Sequence, residues 1–216
     1  MKLNDYFDKI YCINLDRRTD RWEECQKIFK KLEIEVERFS AVDGKLLTLP
    51  HGNVYNAELA GSMSHTEIIK MAKEKGYKNI LILEDDIEFK PELNTLFEEY
   101  IKQVPTDWDI LFFGGNHVGG ANIINTNVQR LFRSYAIHAY GVSKAAYDVI
   151  IHYMESKIEK VKTTPEKLNP SVAADYFMAD LHRNLNVYGF RPHLAWQRTG
   201  YSDIQEAVMN YDFLKK

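Results

Sequence analysis

Four consecutive apolar residues, Ile80 to Leu83, stand out in a chain whose other apolar positions mostly recur at helical or mixed spacing. A strand with one wet face alternates apolar with polar side chains, so an unbroken run predicts a strand buried on both faces. Upstream, Ile10 to Leu15 reads as a first strand, and Trp22, Cys25, Phe29 and Leu32 have the spacing of a helix that Thr19 can cap. Glu35 to Phe39 gives a second strand. Ser64 and Glu67 stand at capping-box spacing, which predicts a helix opening at Ser62, running through Ile68, Ile69 and Ala72 and ending at Gly76.

Downstream of the apolar run, Pro91 opens a helix with Leu93, Leu96, Phe97, Tyr100, Ile101 and Val104 on its inner side, and Pro105 stops it. A buried strand follows at Ile110 to Phe113, then a glycine-rich loop at Gly114 to Gly120 and a hairpin at Ala121 to Arg133 around Asn125-Thr126-Asn127. Ala136 to Val142 is a further strand, Ser143 caps a helix, and Thr163 to Ser171 reads as a loop. It leads into a helix at Ala173 to Asp180, and Asn186 to Tyr188 forms a short strand. The sum is one α/β domain over residues 1–216, with a mixed sheet flanked by helices.

Composition narrows the classes. A formal charge of -3 argues against nucleic acid as the main partner, because such binding rests on clustered Lys and Arg. No apolar stretch approaches the roughly 20 residues that span a bilayer, and Met1 to Asp5 opens no signal-peptide core, so the expected compartment is the cytoplasm. A peripheral membrane contact through the amphipathic tail, Ile204 to Lys216, is a further expectation, although that tail has no basic face. Cys12 and Cys25 read as small buried hydrophobes.

The candidate chemistry sits where the apolar run ends in Glu84, Asp85 and Asp86. Three carboxylates at the carboxyl end of a buried strand belong at a cleft, where open α/β sheets bind ligands. Alternation sends Glu84 and Asp86 to one side and Asp85 to the other, so two acids face one point. Mg²⁺ or Mn²⁺ uses one or two carboxylates together with water and substrate phosphates, which makes a diphosphate a natural companion. A solvated acidic turn is the plainer alternative. Arg17, Arg18 and Arg21 surround a helix N-terminus, suited either to phosphate or to local ion pairs with Asp16 and Asp20. Asp43 ends the second strand, fit for a ribose or base or for a simple turn. His65 is either a structural group or a participant, and Asp175 is either a helix-stabilising charge or a general base.

Taken in order, Ile13-Asn14-Leu15-Asp16-Arg17-Arg18 with Arg21, Ser40-Ala41-Val42-Asp43-Gly44, Ser64-His65, Leu83-Glu84-Asp85-Asp86, Trp108-Asp109, and Gln197 with Tyr201-Ser202-Asp203 resemble glycosyltransferase family 25. That family comprises lipopolysaccharide-type glycosyltransferases and collagen galactosyltransferases. The resemblance implies a GT-A fold, a UDP-sugar donor carrying galactose or glucose, Mn²⁺ or Mg²⁺, a glycan or other hydroxyl acceptor, and inversion at the anomeric carbon. It also implies that Asp86 holds the metal and that Glu84 contacts the ribose or a metal-bound water; apart from the resemblance, His193 or Gln197 is the expected third metal ligand. Asn14, Leu15, Val42 and Asp43 would line the uridine pocket, with Arg17, Arg21, Ser64, His65 and Asp85 completing the donor site. Asp175 is the expected base, ahead of Asp180 and Glu88. The family's usual Gly-Cys before Ser-His is replaced by Gly61-Ser62-Met63, and the long second domain of collagen-type members is missing, which favours a cell-surface or viral glycan over collagen. A metal-dependent phosphotransferase and a silent sugar-nucleotide binder remain as alternatives.

Overall fold

The strand built on Ile80 to Leu83 lies inside an eight-stranded sheet in a computed structural model that describes residues 1–48, 56–163 and 171–215. The strands are β1 (Lys9–Asn14), β2 (Glu37–Ser40), β3 (Asn79–Glu84), β4 (Ile87–Phe89), β5 (Ile110–Phe112), β6 (Asn116–Asn125), β7 (Val128–Tyr135), β8 (Ala139–Ser143), β9 (Val187–Phe190), β10 (Ala195–Gln197), β11 (Gly200–Ser202) and β12 (Ala207–Met209). The helices are α1 (Leu3–Tyr6), α2 (Thr19–Lys31), α3 (Asn56–Glu74), α4 (Leu93–Ile101), α5 (Tyr147–Thr163) and α6 (Ala174–Leu181). The large sheet has the order β2-β1-β3-β8-β5-β9-β7-β6, and β4 pairs with β10 and β11 with β12 in two small ribbons.

The apolar run is divided between two cores because side chains alternate across a strand. Ile80 and Ile82 join Tyr11, Ile110, Phe112 and Tyr140 beneath α3, α5 and α6. Leu81 and Leu83 join Ile10, Cys12, Leu111 and Phe113 beneath α1, α2 and α4. All four are fully buried, each contributing about 1.5–3 kcal/mol by removal from water. Cys12 and Cys25 are free, buried thiols in the second core, as their apolar setting implied.

Strand direction sets where chemistry can gather. β1, β2 and β3 are parallel, β8 runs against both β3 and β5, and β9 is parallel to β5. The carboxyl ends of β1, β2, β3, β5 and β9 therefore meet along one edge, and the start of β8 joins them there. This mixed α/β sheet flanked by helices is the expected fold class.

Several expected boundaries move. α3 begins at Asn56, so Ser64 and His65 lie in mid-helix and not at a first turn. The capping-box spacing misled because i, i+3 is also an ordinary neighbour spacing on a helix surface; the Ser64 hydroxyl donates back to the Ala60 carbonyl, and Glu67 pairs with Lys70. Thr19 is the first helical residue of α2, after an Arg18 N-cap without a side-chain bond. Ser143 likewise makes no capping bond. β8 begins at Ala139 because Ala136 takes a left-handed φ of 59°, which interrupts an extended chain. Most of the Thr163 to Ser171 loop lies outside the described residues. Among the described residues no helix is long and apolar enough to cross a membrane.

Candidate active site

At the end of β3 the backbone turns through Asp85 and Asp86 into β4, and the pleat separates the three acids as their alternation requires. Glu84 and Asp86 share one neighbour. The Gln197 amide nitrogen lies 3.3 Å from Glu84 Oε2 and 3.5 Å from Asp86 Oδ2, delivered there by the pairing of β10 with β4, in which Gln197 faces Ile87. Gly114 permits that approach: a Cβ at this position would lie 1.9 Å from the Ala195 carbonyl oxygen. His65 Nε2 stands 3.4 Å from Glu84 Oε1, and its Nδ1 is 2.9 Å from the Tyr140 hydroxyl. Asp85 faces the other way, accepting from Asn14 Nδ2 at 2.7 Å and paired with the Arg21 guanidinium, while its carbonyl receives Cys25 Sγ at 3.2 Å.

Electrostatics distinguish the three carboxylates. Burial pulls the Glu84 pKa up, but the His65 bond and charge outweigh it and hold Glu84 below its ordinary range. For Asp86, burial and the Glu84 charge prevail over Arg21, 3.7 Å away, and push the carboxyl up to about 7. The two acids titrate as a pair in which Glu84 is the ionised member and Asp86 the proton-binding one. Asp86 Oδ1 is buried with no hydrogen-bond partner among the described residues. A buried carboxylate oxygen left without a donor, beside a second carboxylate, is a costly arrangement that a bound cation relieves. Asp85 is also raised, by burial, against the opposing pull of Arg21 and Asn14.

The parallel ends of β1 and β2 bring Asn14, Leu15, Val42 and Asp43 together. The Ala41 N–H donates to the Asn14 carbonyl, and the Val42 N–H donates to Ser64 Oγ. Asn14 is 1% exposed and ties this corner to Asp85, while Arg38 Nε donates to its Oδ1 at 2.8 Å. The arginines are engaged. Arg17 binds Asp43 at 3.0 Å and also Asp203; Arg18 binds Asp20 and Asp203; Arg21 Nη2 donates to the Tyr201 carbonyl at 2.6 Å. Of the local ion pairs foreseen, Arg18 with Asp20 exists, whereas Asp16 is taken by Arg38. The arginines thus strap the β11–β12 ribbon over the β1–α2 turn. Asp203, beyond any short-range signal, is the residue that sequence reasoning left without a role.

Asp175 lies in the first turn of α6, with Oδ2 accepting from the Ala136 N–H at 3.1 Å and Oδ1 from the Tyr176 N–H at 2.8 Å. Burial raises its pKa, opposed by the Ala136 bond and reinforced by the Glu84 charge. Asp180 is bound to Arg133 and Tyr153, and Glu88 to the Trp196 indole. His193 donates from Nδ1 to the Leu214 carbonyl and packs edge-on against His117. Of the two candidates for a third metal ligand, it is Gln197 whose side chain lies against Glu84 and Asp86. No group of three His, Cys, Asp or Glu residues is close enough to hold a metal among the described residues.

A sequence profile of glycosyltransferase family 25 (LPS biosynthesis protein) matches residues 7–131, more than half of the chain. The chain belongs to glycosyltransferase family 25. The matched stretch holds the Asn14 corner, Asp43, Ser64-His65 and the Glu84 to Asp86 turn, and ends before Asp175, Gln197 and Asp203. Among relatives, a family 25 member from Drosophila melanogaster is 34% identical over 127 residues, covering 50% of this chain and 21% of its own. Procollagen galactosyltransferase 1 of Danio rerio is 32% identical over 130 residues, and procollagen galactosyltransferase 2 of Homo sapiens 29% over 130 residues, with the same 50% and 21% coverage. The match thus spans about a fifth of the length of these relatives.

Proposed function

We propose that this family 25 chain is a metal-dependent, inverting glycosyltransferase that moves a hexose, galactose or glucose, from a UDP-sugar to a hydroxyl of a glycan acceptor. The observation that carries the reading is the convergence of Glu84 and Asp86 on one point at the carboxyl end of β3, with Asp86 Oδ1 lacking a donor. The two carboxylates suit Mn²⁺ or Mg²⁺, whose shells accept a few protein oxygens and are completed by water and phosphate. When bound, such an ion neutralises charge developing on the departing diphosphate, a contribution of several kcal/mol in comparable electrostatic sites.

The rest is the work of side chains. Asn14, Leu15, Val42 and Asp43 receive the nucleoside at the ends of β1 and β2. His65 fixes the Glu84 carboxylate and keeps it ionised. The acceptor hydroxyl attacks the anomeric carbon on the face opposite UDP, its proton passes to Asp175, and the bond from the anomeric carbon to the diphosphate oxygen breaks. Burial raises the Asp175 pKa, which brings its proton affinity toward that required of a base near neutral pH.

Incubation of the chain with UDP-galactose or UDP-glucose and Mn²⁺ tests the reading, with release of UDP and transfer or hydrolysis of the sugar as the expected result. Absence of both nucleotide binding and sugar release would overturn it. Asp175→Asn is expected to lower turnover by roughly 10²–10⁴-fold, the usual range for a lost general base, with UDP-sugar affinity retained. A large loss of donor binding would show that Asp175 is not the base.

A further inference from the structure

Farther along the same edge, a cavity of about 420 Å³ opens between the β6–β7 hairpin and the segment that follows β9, lined in part by Gly115, His117, Gln129, Arg191 and His193. Its lining carries three basic side chains and no carboxylate. Arg17, Arg18, Arg21 and Arg38 are all paired with acids. The Arg191 guanidinium has no carboxylate partner and no side-chain hydrogen bond among the described residues.

The surroundings hold this wall in place. The Arg191 N–H donates to the Asn127 carbonyl at 3.0 Å, and Asn127 Nδ2 donates to the Arg191 carbonyl at 3.0 Å, so the hairpin turn grips the arginine backbone from both sides. The two imidazoles are oriented by bonds from Nδ1, His193 to the Leu214 carbonyl and His117 to Ser134 Oγ, and their rings cross at 75° with centroids 4.8 Å apart. The chain that leaves the cavity at His193 is tied to the end of β3 two residues later. His138 Nε2 donates to the Ala195 carbonyl, and its own carbonyl accepts the Glu84 N–H. Gln197 follows His193 by four residues, a span of at most about 13 Å for extended chain, a reach that a short saccharide can cover.

We propose that this cavity is an acceptor subsite for the anionic group, carboxylate or phosphate, of an acidic sugar. An unpaired guanidinium offers the planar donor fork that both groups accept in bidentate fashion. The glycan acceptor is on this reading negatively charged. The inference rests on the proposed glycosyltransferase function, because it names the acceptor of that same edge.

Calorimetric titration of the full chain with D-glucuronate, D-glucose 6-phosphate and uncharged D-glucose tests the proposal, with inorganic phosphate as competitor. At least one charged sugar is expected to bind roughly tenfold or more tightly than glucose, the scale of one hydrogen-bonded charge contact. Which of the two binds tighter separates a carboxylate acceptor from a phosphorylated one. Arg191→Gln is expected to reduce that preference to near unity, and in the unaltered protein added salt is expected to weaken the charged sugars while leaving glucose unchanged. Equal binding of charged and uncharged sugars, or a preference that survives in Arg191→Gln or ignores salt, would overturn the subsite. The donor side is read separately by UDP binding to the unaltered chain with Mn²⁺, whose failure counts against the glycosyltransferase reading and not against the charge preference.

Discussion

Replacing Asp86 with Asn is expected to stabilise the metal-free protein at alkaline pH and to do much less at acidic pH. Burial and the neighbouring Glu84 charge move the Asp86 carboxyl from its ordinary 3.8 to about 7 in the folded chain. The unfolded chain binds fewer protons than the folded chain between those values, so stability falls as pH rises through this window and is flat above it. A little over three pH units at about 1.36 kcal/mol each puts the whole loss at about 4 kcal/mol, an upper figure because Glu84 shares the titration. Between about pH 5 and about pH 8 roughly two of those units are traversed, a loss of about 3 kcal/mol. For a domain of this size that corresponds to roughly 6–12 °C in melting temperature. The assay is a pair of thermal melts of EDTA-treated wild type and Asp86→Asn at the two pH values. The variant's advantage should be greater at the higher pH, and Mn²⁺ should raise the wild-type melting temperature at pH 8 but not that of the variant. An advantage independent of pH would show that Asp86 is not the strained carboxylate, and a metal response retained in Asp86→Asn would place the cation elsewhere.

Three further perturbations separate the parts of the site. Arg21→Ala leaves the 7%-exposed Asp85 with Asn14 as its remaining side-chain donor, and loss of one partner from a buried pair is expected to cost about 3–5 kcal/mol in a denaturant melt; Arg21→Ala combined with Asp85→Asn should recover part of that. Asp203→Asn weakens the anchor shared by Arg17 and Arg18, so hydrogen exchange should quicken in β11 and β12 while β1 and β3 keep their protection. Gly114→Ala places a methyl group 1.9 Å from the Ala195 carbonyl oxygen and must displace β10, so the variant should lose stability and, through Gln197, sugar release.

The parts of this fold that local pattern dictates were legible in the sequence. The double-sided β3 follows from four adjacent apolar residues, and the division of Glu84 and Asp86 from Asp85 follows from the two-residue period of a strand; neither depends on distant partners. The family resemblance placed the Asn14, Asp43 and Ser64-His65 segments at the same edge, and the parallel ends of β1 and β2 bring Asn14, Asp43 and Ser64 together there. Where local and long-range rules compete, local reading failed. Ser64 with Glu67 satisfies a capping box on paper, but a helix continues through Ser64 because its hydroxyl finds the Ala60 carbonyl and the Val42 N–H.

The arginine turn exposes the same limit from the other direction. Phosphate and a carboxylate present similar oxygens to a guanidinium, so residue types at 17, 18 and 21 cannot distinguish a ligand from a protein partner. In the folded chain Asp203, about 185 residues away, takes the place of an anion on Arg17 and Arg18. A UDP-sugar reaching these two arginines would therefore have to compete with an internal carboxylate at no entropic disadvantage to that carboxylate, because the β11–β12 ribbon is covalently tethered. Asp85 holds Arg21 in the same way, with its own raised pKa favouring the contact less as pH falls. On the proposed function, the charge of a diphosphate would be better met at Glu84 and Asp86 through a cation than at the arginines. The arginines close the ribbon over the β1–α2 turn, and if the proposed nucleoside site lies beneath it, Asp203→Asn should loosen donor binding and not tighten it.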